Sequence, residues 1–63
     1  MLSDNLKRIR EEQGYSKMQL AKISNVSRRT IMLIETKKTT SPGIETLRRL
    51  AKALNIDIED LIK

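Results

Sequence analysis

Two adjacent guanidinium side chains, Arg28 and Arg29, follow Ser27 and precede Thr30-Ile31-Met32-Leu33-Ile34-Glu35. A guanidinium presents a planar fork of donors that matches the O6 and N7 of guanine, and equally a pair of phosphate oxygens. Lys17, Lys37 and Lys38 add point charges for phosphate, while Thr39 and Thr40 add hydroxyl donors beside the last two. These residue types suit recognition of a polyanion. One arginine is expected to read a base and the other to hold the backbone, with the assignment between Arg28 and Arg29 open.

The charge is distributed accordingly. The chain carries a net charge of +5 over 63 residues. In residues 1–15, Lys7, Arg8 and Arg10 are balanced by Asp4, Glu11 and Glu12; from Glu45 to Lys63 the two signs balance again. The excess lies between them, where Lys17, Lys22, Arg28, Arg29, Lys37 and Lys38 face Glu35 alone. Such segregation is the electrostatic footprint of a face that meets nucleic acid. Catalysis has little to work with. There is no His or Cys, no glycine-rich phosphate loop and no acid/base pair suited to a cleft, so no enzyme activity, metal or cofactor is expected. No apolar run approaches membrane-spanning length and no signal-peptide core follows Met1, which points to a protein of the cytoplasm. No small-molecule ligand is evident.

The charged residues need rigid elements to position them. Ser16 with Gln19 forms a capping box ahead of a short helix with Leu20, Ala21 and Ile23 on its apolar side. Asn25 is suited to the left-handed conformation that closes a helix. Val26 can fill the corner, Ser27 caps a second helix, and Ile31 and Ile34 turn its inner face to the core. A first helix is expected from Ser3, as N-cap, to Gln13, stopped by Gly14. Tyr15, the only aromatic residue, is expected as a lid on the core. A loop from Thr36 to Gly43 precedes a helix capped by Ser41 or Gly43, with Pro42 in its opening turn and Ile44, Leu47, Leu50, Ala51 and Leu54 on one stripe. Asn55 ends that helix, and Asp57 caps a last one with Ile58, Leu61 and Ile62. The expected architecture is all-α, a compact bundle of five short helices forming a single domain over residues 1–63.

Helix, tight turn, helix is the layout of a DNA-reading helix-turn-helix. The residues that carry it, Leu20-Ala21, Val26-Ser27, Thr30-Ile31 and Ile34-Glu35, resemble those of the lambda-repressor-like family of phage repressors, Cro proteins and xenobiotic-response-element regulators. Asn5-Leu6-Lys7-Arg8-Ile9-Arg10, Glu45-Thr46-Leu47 and Leu50-Ala51-Lys52-Ala53-Leu54 extend the resemblance over nearly the whole chain. It implies that helices 2 and 3 are the helix-turn-helix, that Arg10 pairs with Glu35, that Lys17 anchors phosphate, and that the 36–43 loop lies along the DNA backbone. Ser27 and Thr30 are then cap and phosphate donor. The family often has Gly where Lys37 stands, and relatives commonly carry polar or basic residues at Met32 and Leu33. That apolar pair could meet thymine methyl groups, with Leu33 ranked first, or serve a protein partner.

The function so implied is a sequence-specific transcriptional regulator of double-stranded DNA, a repressor before an activator because occlusion alone suffices. Domains this small usually pair on a two-fold axis over a palindromic operator. Ile56, Ile58, Leu61 and Ile62 are the candidate homodimer contact, with closure of the monomer core as the alternative use. The competing function is a protein-interaction module or antitoxin of the same fold that uses the recognition-helix surface.

Overall fold

In the computed structural model, which describes residues 1–38 and 42–63, local capping chemistry sets most of the helix limits. The helices are α1 (Leu2–Glu12), α2 (Lys17–Ser24), α3 (Arg28–Glu35), α4 (Ile44–Leu54) and α5 (Ile58–Ile62). No strand occurs among the described residues. The all-α, five-helix expectation therefore holds.

The Ser16 hydroxyl accepts the Gln19 amide at 3.1 Å, and the Gln19 side chain accepts the Ser16 amide at 2.8 Å. Both orphan amides at the start of α2 are thereby satisfied. Asn25 ends α2 at φ 59, and one residue of turn later the Ser27 hydroxyl accepts the Thr30 amide at 3.1 Å to start α3. Asp57 and Asp60 form a second capping box at α5.

The start of α1 differs from the expectation. Ser3 is not its cap; it lies inside the first turn and is buried, while Met1 occupies the cap position without a side-chain bond. The cause is tertiary. Asn5 Nδ2 donates to the carbonyls of Leu61 and Lys63, both at 2.9 Å, so α5 fixes where α1 begins. Pro42 likewise precedes the Gly43 cap of α4 and is not part of its opening turn. Ile44, expected on the apolar stripe of α4, is 61 % exposed, and the buried residues of that helix are Leu50, Ala51 and Leu54 in its later turns. Ser41, the other candidate cap, lies outside the described residues.

The core is built from Leu6, Ile9, Leu20, Val26, Ile31, Ile34, Leu50, Ala51, Leu54 and Leu61, with half-buried Tyr15 packed against it. Every helix contributes at least one of them. Fully burying each of the Leu, Ile and Val side chains is worth about 1.5–3 kcal/mol relative to exposure. A chain this short buries only about 60 % of its unfolded surface, so the fold has little margin.

Helix α3 ends in a Schellman arrangement, with the Lys37 amide bonded to the Ile34 carbonyl at 3.1 Å and the Lys38 amide to that of Leu33 at 2.9 Å. This requires Lys37 at φ 62, a left-handed conformation that a side chain with a Cβ adopts at a cost. Lys37→Gly should therefore raise stability by about 0.5–1 kcal/mol, after the greater freedom of glycine in the unfolded chain offsets part of the relief. Urea unfolding would show a higher midpoint at unchanged slope. A lower midpoint would mean that the Lys37–Asp4 contact, exposed and 4.0 Å long, matters more than the backbone.

Candidate nucleic-acid interface

Arg28 and Arg29 occupy the first turn of α3, where the Ser27 cap fixes the backbone, and both are exposed. Neither forms an ion pair among the described residues. Their charge is therefore available to a partner. Ile31 and Ile34 are 0 % and 1 % exposed, so they form the core-facing side of the helix and hold its orientation.

The end of α3 is held by a different device. Arg10 Nε donates to Glu35 Oε2 at 2.8 Å and Nη2 to Oε1 at 3.0 Å, while Nη1 donates to the Tyr15 carbonyl at 2.7 Å. The two side chains are 8 % and 3 % exposed. The Glu35 hydrogen bond raises the Arg10 pKa above its ordinary value against the opposing effect of burial, aided by the negative charges of Glu35 and Glu11. This guanidinium stays charged, and the pair ties α1, the 13–16 link and α3 into one unit.

Arg28 and Met32 of α3 face Ser16, Lys17 and Met18 of α2 across an open groove, with Arg10 at its floor. Lys17 is half-buried there at the start of α2. Thr30 is half-buried, and its hydroxyl accepts the Ser27 hydroxyl at 2.8 Å. On α3, Met32 is 41 % exposed and Leu33 half-buried. Lys37 and Lys38 are exposed just beyond the helix, while Thr39 and Thr40 lie outside the described residues. The groove thus brings Lys17 and Arg28 together. Lys37 and Lys38 lie at the opposite end of α3.

The four apolar residues of the last segment separate. Leu61 is fully buried and packs into the monomer core, so it has no surface to offer a second copy. Ile56 and Ile58 are half-buried against the same core, and only Ile62, 51 % exposed, projects fully.

Two features escaped the sequence. Arg49 of α4 donates to the Asn25 carbonyl and to Glu45, each at 3.3 Å, bracing the turn between α2 and α3. Met18, 52 % exposed, stands across the groove from Met32. The Glu45–Arg49 spacing is local, but no local pattern announces the reach of Arg49 to Asn25 or the shared groove of Met18 and Met32, because those partners lie on different segments.

Comparison with known proteins agrees with this geometry. The chain is similar to the HTH-type transcriptional regulators SinR of Bacillus subtilis (strain 168) and SinR of Bacillus licheniformis, at 29 % identity over 62 residues in each case. That is 98 % of this chain, which spans 56 % of the length of those relatives. Among solved structures it is similar to SinR, the master regulator for biofilm formation, in a crystal structure in complex with DNA. The TM-score is 0.95 at 28 % identity, covering 100 % of both chains. The helix-turn-helix family model matches residues 6–61. With α2 and α3 as its two motif helices, the chain belongs to the helix-turn-helix family, of the lambda-repressor-like type.

Proposed function

We propose that residues 1–63 act as one DNA-binding unit of a transcriptional regulator, a repressor that occludes its operator by laying α3 in the major groove. The observation that carries this reading is the exposed Arg28-Arg29 pair, which has no carboxylate partner among the described residues and sits on a helix locked by Ile31, Ile34 and the Arg10–Glu35 pair. In a helix-turn-helix, the first turn of the second helix meets base edges. Lys17, at the start of α2, is the phosphate anchor on one side, since helix N-termini favour anions. Lys37 and Lys38, with Thr39 and Thr40, take the backbone on the other, and Ser27 and Thr30 cap and support. The action is binding and not catalysis, and it takes place on chromosomal DNA in the cytoplasm. Among the described residues no helix is long and apolar enough to cross a membrane.

A homodimer on a palindromic site completes the proposal. Each copy measures 23 × 22 × 19 Å, so two abutting copies can set their α3 helices about 34–36 Å apart, one turn of DNA. Ile62, flanked by Ile56 and Ile58, is the apolar surface left for that contact. Selection of bound sequences from a random duplex pool should return a two-fold symmetric site with a guanine in each half, bound with steep salt dependence. Failure to retain any duplex at low salt would defeat the proposal. The exposed Met18 and Met32 favour a second reading, a protein-interaction module of the same fold, and salt-insensitive binding to a protein in place of DNA is its mark.

A further inference from the structure

Arg28 and Met32 are one turn apart on α3 and line the same groove, whereas Leu33 is half-buried one position further round the helix. Met18 stands on the other wall, next to Lys17. The groove therefore combines cations with two exposed thioethers. Neither methionine belongs to the core, although a methionine side chain is adaptable and apolar enough to be used there. Two exposed methionines lining one groove with a guanidinium suit a ligand that is charged or polar at one point and apolar at the next. In the major groove one base pair has that second character, because thymine carries a 5-methyl group.

We propose that Met32 is a specificity-determining residue that packs on the methyl group of a thymine next to the guanine read by Arg28, with Met18 backing it from α2. The proposal rests on the DNA-binding reading above and assigns to Met32, not Leu33, the discrimination of thymine. Residues one turn apart on a helix lying in the groove reach neighbouring base pairs, so the preferred half-site contains guanine and thymine side by side. Met18 is a positioning residue. It limits the rotamers of Met32 and keeps water from the far side of the methyl contact.

The test uses the duplex recovered by selection from a random pool, with each thymine replaced singly by deoxyuridine. This exchange removes the methyl group and leaves the base pairing unchanged. For the unaltered protein, one replacement in each half-site should weaken binding about four-fold, the worth of one buried methyl group. Met32→Ala and Met32→Gln should bind the thymine and uracil duplexes equally, while Leu33→Ala should keep the four-fold difference. Met18→Ala should reduce the difference without abolishing it. Thermal unfolding followed by circular dichroism checks that each variant is folded, which the exposure of both methionines leads one to expect. A uracil effect that survives Met32→Ala and Met32→Gln, or that vanishes with Leu33→Ala, overturns the inference but leaves the DNA-binding reading standing. So does a selected site with no thymine beside the guanine. If no duplex is retained at all, the DNA-binding reading fails and the inference falls with it.

Discussion

Glu35→Ala is expected to destabilise the fold by about 3–5 kcal/mol, because it strands a buried guanidinium. The carboxylate accepts two bonds from Arg10, at 2.8 and 3.0 Å, in a site where its own side chain is 3 % exposed. Removing it leaves a guanidinium among Tyr15, α1 and α3 with only the Tyr15 carbonyl and a peripheral contact to Glu11 at 3.9 Å. A charge stranded in that way costs far more than the pair contributes, because the desolvation is retained and the attraction is lost. A small domain has about 5–15 kcal/mol of stability at most, so a large part of the variant population should be unfolded at physiological temperature. Urea unfolding measures it directly. Arg10→Met combined with Glu35→Leu should recover most of the loss, since it removes both charges and fills the space with apolar atoms. A loss below about 1 kcal/mol for Glu35→Ala would show that water reaches Arg10 and that the pair behaves as a surface contact. The raised Arg10 pKa adds no pH sensitivity at working pH. A cation stabilised in the folded state contributes fully below its unfolded pKa and is lost only as pH rises through the folded one, in strong alkali.

Weakened DNA binding by the same variant would follow from the lost folded fraction and would not imply that Glu35 touches DNA. The distinction matters for Arg10 as well. Its guanidinium lies at the floor of the groove that Arg28 and Lys17 overlook, yet three of its five donors are committed to Glu35 and the Tyr15 carbonyl and its side chain is 8 % exposed.

Where a feature depends on neighbouring residues, the sequence made it legible. Ser16 with Gln19, Asn25 and Ser27 each act within a turn of their own position, and the limits of α2 and α3 follow from them. Features set by distant chain segments were not legible in the residues themselves, and the Arg10–Glu35 pair came only from the family resemblance. Ser3 has the chemistry of a cap, but the Asn5 contacts with the Leu61 and Lys63 carbonyls pull the helix start forward and leave it in the wall of the core. Leu61 and Ile62 are equally apolar and adjacent, and only the packing of α5 between α1 and α4 decides which one is buried. Lys37 shows a third case. Its left-handed backbone is imposed by the Schellman bonds at the end of α3, although nothing in a lysine side chain favours it. At the interface, the residue types and the concentration of positive charge are written in the chain. That Met18 and Met32 line one groove is not, because it depends on how α2 crosses α3.

The other large effect is expected on binding. On the selected duplex, alanine at whichever of Arg28 and Arg29 reads a guanine should cost about 1–3 kcal/mol and relax the preference at that one base pair. Alanine at the other should weaken all sequences alike and reduce the slope of log affinity against log salt by about 1, the signature of one lost phosphate contact. Both arginines are exposed and unpaired among the described residues, so neither substitution should alter unfolding by more than about 0.5 kcal/mol. That separation of stability from affinity is what Glu35→Ala lacks. The groove geometry favours Arg28 as the base reader, because it lines the groove with Met32 and Lys17, whereas Arg29 is not among the lining residues. The measurement is a titration of each variant against operators carrying all four bases at every position, at two salt concentrations. Uniform weakening by both variants would leave α3 without a direct reader among its arginines. Specificity would then rest on apolar contacts and on the shape of the duplex.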